Sequence, residues 1–195
     1  MEEQKSIFGQ SPPPRKDHVL FRAADAGTNA CISYWYDVNY PYKKGFRMAA
    51  GRLALQVCES HSDQDSLVYP ILYLYRHHIE LVLKDIFRTT AMLLDRPIAD
   101  NEEKALGRHD LLPLWELVVP LLDPACESIG EGAIPADDIE GVNSYLEQVA
   151  EHDPDGQRFR YATVRLKSPK NSNQPVNSSI RNIVLSTFRR FLLTK

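Results

Sequence analysis

The chain has 195 residues, 43% hydrophobic and 25% charged, which is enough to bury a sizeable core and close to the balance of a globular domain that folds in water. That balance excludes collagen-like, fully disordered and membrane-spanning chains, and no stretch reaches the roughly 18 uninterrupted apolar residues a membrane helix needs. With 23 basic and 26 acidic side chains the formal charge is -3, so any attraction to nucleic acid or anionic lipid must come from a local patch.

The segment before residue 19 carries the run Ser11-Pro12-Pro13-Pro14-Arg15-Lys16 and lacks the apolar core of a secretory signal, which predicts a flexible tail over residues 1–18. Cys31, Cys58 and Cys126 are odd in number, far apart and without a CxxC pair, so neither a disulfide framework nor a zinc knuckle is indicated and the expected compartment is the reducing cytoplasm. Residues 19–195 then read as one helical domain with an N-terminal extension. From Val19 to Tyr42 the chain is rich in aromatic residues and broken by Gly27 and Pro41, which predicts irregular structure with a short strand near Cys31 to Tyr36. From Lys44 to Ser60, Phe46, Ala49, Ala50, Leu53 and Val57 follow the spacing of an amphipathic helix.

Asp65 to Thr90 is the strongest pattern. Its apolar side chains cover most of a helical circumference, as expected of a central, buried helix. Tyr73, Arg76, His77, Glu80 and Lys84 interrupt this along one narrow arc, and His78 projects to the other side, where core packing is the simplest reading. A polar loop is expected from Asp95 to His109, then a helix with Asp110 at its N-cap and an end near Leu122, with Pro113 tolerated in the first turn. Asp137 to Glu151 has helical spacing. Asp153-Pro154-Asp155-Gly156 is a turn signal, Phe159 to Leu166 reads as a short extended piece, Ser168 to Ser179 as a loop, and Ser179 to Leu193 as a last helix. The expected fold is all-α, a bundle of four to five helices with an irregular aromatic-rich N-terminal extension.

Several chemistries lack their residues. There is no GxxxxGK[ST], GxGxxG or GxSxG, so a P-loop NTPase, a dinucleotide enzyme of the usual type and an α/β-hydrolase have no support. His61, Asp63 and Asp65, and the run His152 to Gly156, lack the further ligands of a metal site and read as turns.

Two segments taken together, Arg76-His77-His78-Ile79-Glu80-Leu81 continuing to Leu83-Lys84, and His109-Asp110-Leu111-Leu112, resemble the HEPN superfamily, in which a Glu-x-x-x-Lys helix precedes a His-Asp-Leu helix start. The run Arg158 to Tyr161 is similar to the Arg-Tyr segment before the last helix of such domains. The resemblance covers roughly residues 45 to 193. It implies a helical homodimer in toxin-antitoxin or antiviral defence systems, acting on RNA without metal or other cofactor and without a membrane, beside a partner protein of the system. Active members carry Arg, four to six residues, then His. None of the six histidines here follows an arginine at that spacing.

The chemistry is intelligible for these residue types: a 2′-hydroxyl attacks the adjacent phosphorus, a histidine exchanges protons near neutral pH, and a cation stabilises the developing charge. The candidate catalytic residues are Arg76, His77 and Glu80, with Lys84, His109, Arg158 and Arg160 as nucleic-acid contacts. Each has a plainer reading. Glu80 and Lys84 at i, i+4 also make an ordinary helical ion pair, His77 an interior histidine, His109 and Asp110 a helix cap, and the arginines a solvated face. Two functions follow: an RNA-directed effector, either a weak metal-independent ribonuclease or its RNA-binding derivative, and a catalytically inactive dimeric interaction module serving a larger complex.

Overall fold

In the computed structural model, residues 16, 30, 36–161, 163–165 and 173–175 are described. The chain divides into two units, Met1–Tyr36 and Asp37–Lys195, and every helix described belongs to the second. The expected tail, the strand near Cys31 and the last helix from Ser179 lie outside the described residues. What is described is an all-α bundle: α1 (Asn39–Ser60), α2 (Gln64–Leu93), α3 (Asp100–Leu106), α4 (Leu111–Ser128) and α5 (Ala136–His152). A small antiparallel ladder follows, β1 (Thr163–Arg165) on β2 (Asn173–Pro175), with Val164 opposite Gln174.

The 30 residues of α2 make a spine about 45 Å long. Its first half meets α1 through Ile71 and Tyr75, against Ala50, Ala54 and Val57. The two alanines are almost fully buried, and side chains that small let the helix axes approach closely. His61 and Asp63 both take left-handed φ, so the tight α1–α2 connection is built from the residues read as a turn. The second half of α2 carries Leu83 and Phe87 into a larger core with Leu106, Leu111, Leu114, Trp115, Val118, Leu121 and Leu146.

Three boundaries differ from the sequence reading. Helix α1 starts at Asn39 and not near Lys44, because Pro41 falls in the first turn, where its missing N–H is no loss. The polar loop contains α3, whose first turn carries Asp100, Glu102 and Glu103; the Glu102 carboxylate accepts the Ala99 N–H at 2.8 Å, half of a capping box. Helix α4 runs through Pro120 and Pro124 to Ser128. Pro113, Pro120 and Pro124 fall within about 40° of one another around the helix. All three are exposed, so the carbonyls they leave without a donor can turn to water while Leu114, Val118, Leu121 and Ala125 hold the other face. Asp110 stands at the N-cap of α4 but its side chain makes no capping bond. No helix among the described residues is long and apolar enough to cross a membrane.

Candidate functional site

The polar arc of α2 faces the start of α4 and the turn after α5. Arg76 is 4% exposed, and each of its three guanidinium nitrogens has a protein acceptor. Nε donates to the Asp153 carbonyl at 3.2 Å and stands 3.1 Å from Asp153 Oδ2; Nη1 donates to Glu80 Oε2 at 3.3 Å and Nη2 to the His109 carbonyl at 2.6 Å. One side chain thus joins three segments that are distant in sequence. Gly156 closes the back of this nest: its φ is 76°, and an added Cβ would lie 2.7 Å from Arg76 Nη1. Asp153, 1% exposed, also accepts the Arg158 N–H through Oδ1 at 2.9 Å, which fixes the turn.

Glu80 carries the arrangement outward. Its Oε1 accepts from Lys84 Nζ at 2.7 Å and lies 2.9 Å from His109 Nδ1. Burial pushes the carboxyl up, but hydrogen bonds from Lys84 and His109, with their charges, outweigh it and hold Glu80 below the ordinary carboxylate value. An ionised carboxylate has no proton to give, so His109 Nδ1 is the donor, and the neutral ring keeps its lone pair on Nε2. His109 is 52% exposed. Its free edge is available to solvent while its other edge is held from inside the bundle.

Beside it, the His77 ring packs edge-on to Phe46 at 4.5 Å and stacks parallel to Tyr73 at 6.1 Å, with the Arg160 guanidinium 5.3 Å over the opposing tyrosine ring. Burial pushes the His77 imidazole down; Glu80 opposes this, and Arg160, Lys84 and His109 reinforce it. That shared influence places the two histidines, Lys84 and Arg160 in one electrostatic neighbourhood. His78 meets the first turns of α1, where burial also pushes it down against a hydrogen bond with the Lys43 backbone.

The structure therefore brings Arg76, His77, Glu80, Lys84, His109 and Arg160 together, and Arg158 enters through its backbone. It separates their exposure. Arg76 and Glu80 are inside, and each guanidinium nitrogen of Arg76 already has a protein acceptor with which a phosphate would compete. The more accessible groups are His109, His77, Lys84 and Arg160. Sequence reasoning missed Asp153 as the second carboxylate on Arg76, along with Gly156 and Phe46. The signal available was a turn with an aspartate at its start, which carries no indication of burial. No three His, Cys, Asp or Glu among the described residues are grouped to hold a metal. Compared with family models, curated proteins and solved structures, the chain matches none.

Acidification is expected to weaken the fold in two windows. His77 and His78 are held below the usual imidazole value of 6.5, so the folded chain binds fewer protons than the unfolded one; their contribution is complete above that pH and is lost as pH falls below it. Glu80, held below 4.5, loses its contribution as pH drops below that value. Urea titrations from pH 8 to pH 3 should show both declines, with the lower one flattened in Glu80→Gln. Constant stability between pH 7.5 and pH 5.5 would contradict the histidine assignment.

Proposed function

We propose that this chain is an RNA-directed effector of the HEPN type, a weak metal-independent ribonuclease or its RNA-binding derivative, working as a homodimer with a partner protein in a cytoplasmic defence or toxin-antitoxin setting. The setting and the dimer rest on the sequence resemblance alone. The observation that carries the chemistry is the Glu80–His109 contact, which holds the imidazole by Nδ1 from within while half of the side chain stays exposed. This is the arrangement by which a carboxylate orients a general base. His109 Nε2 takes the 2′-hydroxyl proton as that oxygen attacks phosphorus, and the 5′-oxygen leaves, protonated by the imidazolium so formed or by water. Lys84 and Arg160 receive the phosphate. The cluster counts Arg76, Lys84 and Arg160 against Glu80 and Asp153, a net positive charge with the histidines left out. His77, neutral at neutral pH, suits accepting a hydrogen bond better than donating a proton.

The saturation of Arg76 favours a second reading, a catalytically inactive dimeric module whose polar arc only braces the bundle. Labelled structured and unstructured RNAs incubated with the purified protein in EDTA separate the two. Cleavage in EDTA, with RNA affinity that falls steeply with salt and drops in Arg160→Ala, supports the effector. Neither cleavage nor salt-sensitive binding on any RNA supports the module.

A further inference from the structure

Between Leu111 and Gln157 the chain carries eleven carboxylates and no lysine or arginine. That segment builds α4, α5 and the groove between them, a hollow of about 530 Å³. Trp115, Val119 and Ile139 form its apolar floor, while Glu116, Glu140 and Glu147 stand at its rim. Pro120, also in the lining, has no N–H for the Glu116 carbonyl four residues earlier, so the rim presents a main-chain acceptor beside its carboxylates. A surface of this kind takes a ligand that is apolar along one line and cationic along its edges.

Helix α1 has such a surface. Lys43, Lys44, Arg47 and Arg52 stand against one carboxylate, Glu59. Lys44, Met48, Arg52 and Leu55 fall within an arc of about 80°. All four are exposed, Met48 at 39% and Leu55 at 37%, although both are large and apolar. Helix α1 packs on α2, α2 on α4, and α4 on α5, so the spine stands between the basic stripe and the acidic groove. The two faces carry opposite charge on different sides of one molecule.

We propose that copies of this chain associate head to tail, the Lys44–Met48–Arg52–Leu55 stripe of one copy seating in the α4–α5 groove of the next. Such a contact is heterologous: it does not pair a patch with itself, so it links copies beyond a two-fold dimer, extending or closing into a ring. Met48 and Leu55 cover the groove floor, and Lys44 and Arg52 meet Glu140, Glu147 and Glu116. Charge pairs at a rim chiefly steer and select, so the contact weakens with salt.

Sedimentation velocity on the full chain tests this with two double variants, Lys44→Glu/Arg52→Glu and Glu140→Lys/Glu147→Lys. All the exchanged side chains are exposed, and circular dichroism confirms that each variant is folded. The wild type is expected to grow beyond dimer mass with concentration at low salt and to lose that growth at high salt. Each variant alone should show no growth beyond a dimer, since its stripe and groove then carry like charge. An equimolar mixture should recover association, because each stripe again meets a groove of opposite sign. A wild type that stops at a monomer or dimer, growth that survives both variants, or variants that fail alone and do not recombine would each overturn the proposal. A wild type that does not grow yet binds a basic amphipathic peptide in the groove would overturn it too, by giving the surface to a foreign partner.

Discussion

Replacing Arg76 by alanine is expected to destabilise the fold by about 3–5 kcal/mol, the usual cost of removing one partner from a buried ion pair. The penalty comes less from the lost attraction than from what is left behind. Glu80 keeps Lys84 and His109, but Asp153, 1% exposed, retains only the Arg158 N–H on its carboxylate. The His109 carbonyl loses its 2.6 Å donor in the same step. Arg76→Lys should rescue little, because one ammonium cannot span Glu80, Asp153 and the His109 carbonyl as the guanidinium fork does. Gly156→Ala approaches the same contact from the other side: at a φ of 76° alanine is strained, and its Cβ presses on the guanidinium. Chemical denaturation of the single and double variants checks this. Coupled, non-additive losses for Arg76→Ala and Gly156→Ala are expected, and a loss below about 1 kcal/mol for Arg76→Ala would contradict the hub.

His109→Ala should behave in the opposite way. The side chain is half exposed and Glu80 keeps Arg76 and Lys84, so unfolding should shift little. If the bare Nε2 is the base for RNA cleavage, the rate in EDTA should fall about 100- to 10,000-fold, the contribution expected of a positioned general base. Measuring both quantities on one preparation separates a positioning residue from a reacting one: Arg76→Ala loses stability first, His109→Ala loses rate at constant stability. A His109→Ala protein that cleaves as fast as the wild type would remove His109 from the chemistry.

Much of the fold could be read from apolar spacing, because the cores are built by it. Helix α2 and its polar arc, the α1 stripe from Phe46 to Val57 and the spacing of α5 are each set by side chains repeating on one face. Where one face alone decides, as in α4, a local breaker misleads: Pro124 sits on the solvent side, and burial of the opposite side overrides it. Helix α3 was hidden because its seven residues carry little apolar pattern; it is held by the Glu102 cap and by Leu106. The candidate site was half legible. Spacing put Arg76, Glu80 and Lys84 on one arc, but no local signal joins position 76 to Asp153 or position 80 to His109. Those pairings depend on how the turn after α5 and the start of α4 fold back on α2. For the same reason sequence could name Arg76 as polar and important but could not show that its donors are spent inside.

A buried carboxylate holds His109 from within, with Nδ1 turned to Glu80 and half of the side chain exposed. Nitrogen NMR of the imidazole ring tests it without any assumption about substrate, since the two ring nitrogens report separately which one carries the proton. In the wild-type chain the neutral ring should carry its proton on Nδ1 and leave Nε2 bare, and Glu80→Gln should relax that preference. A neutral His109 carrying its proton on Nε2 in the wild type would contradict the account, because the nitrogen offered to solvent would then have no lone pair with which to act as a base.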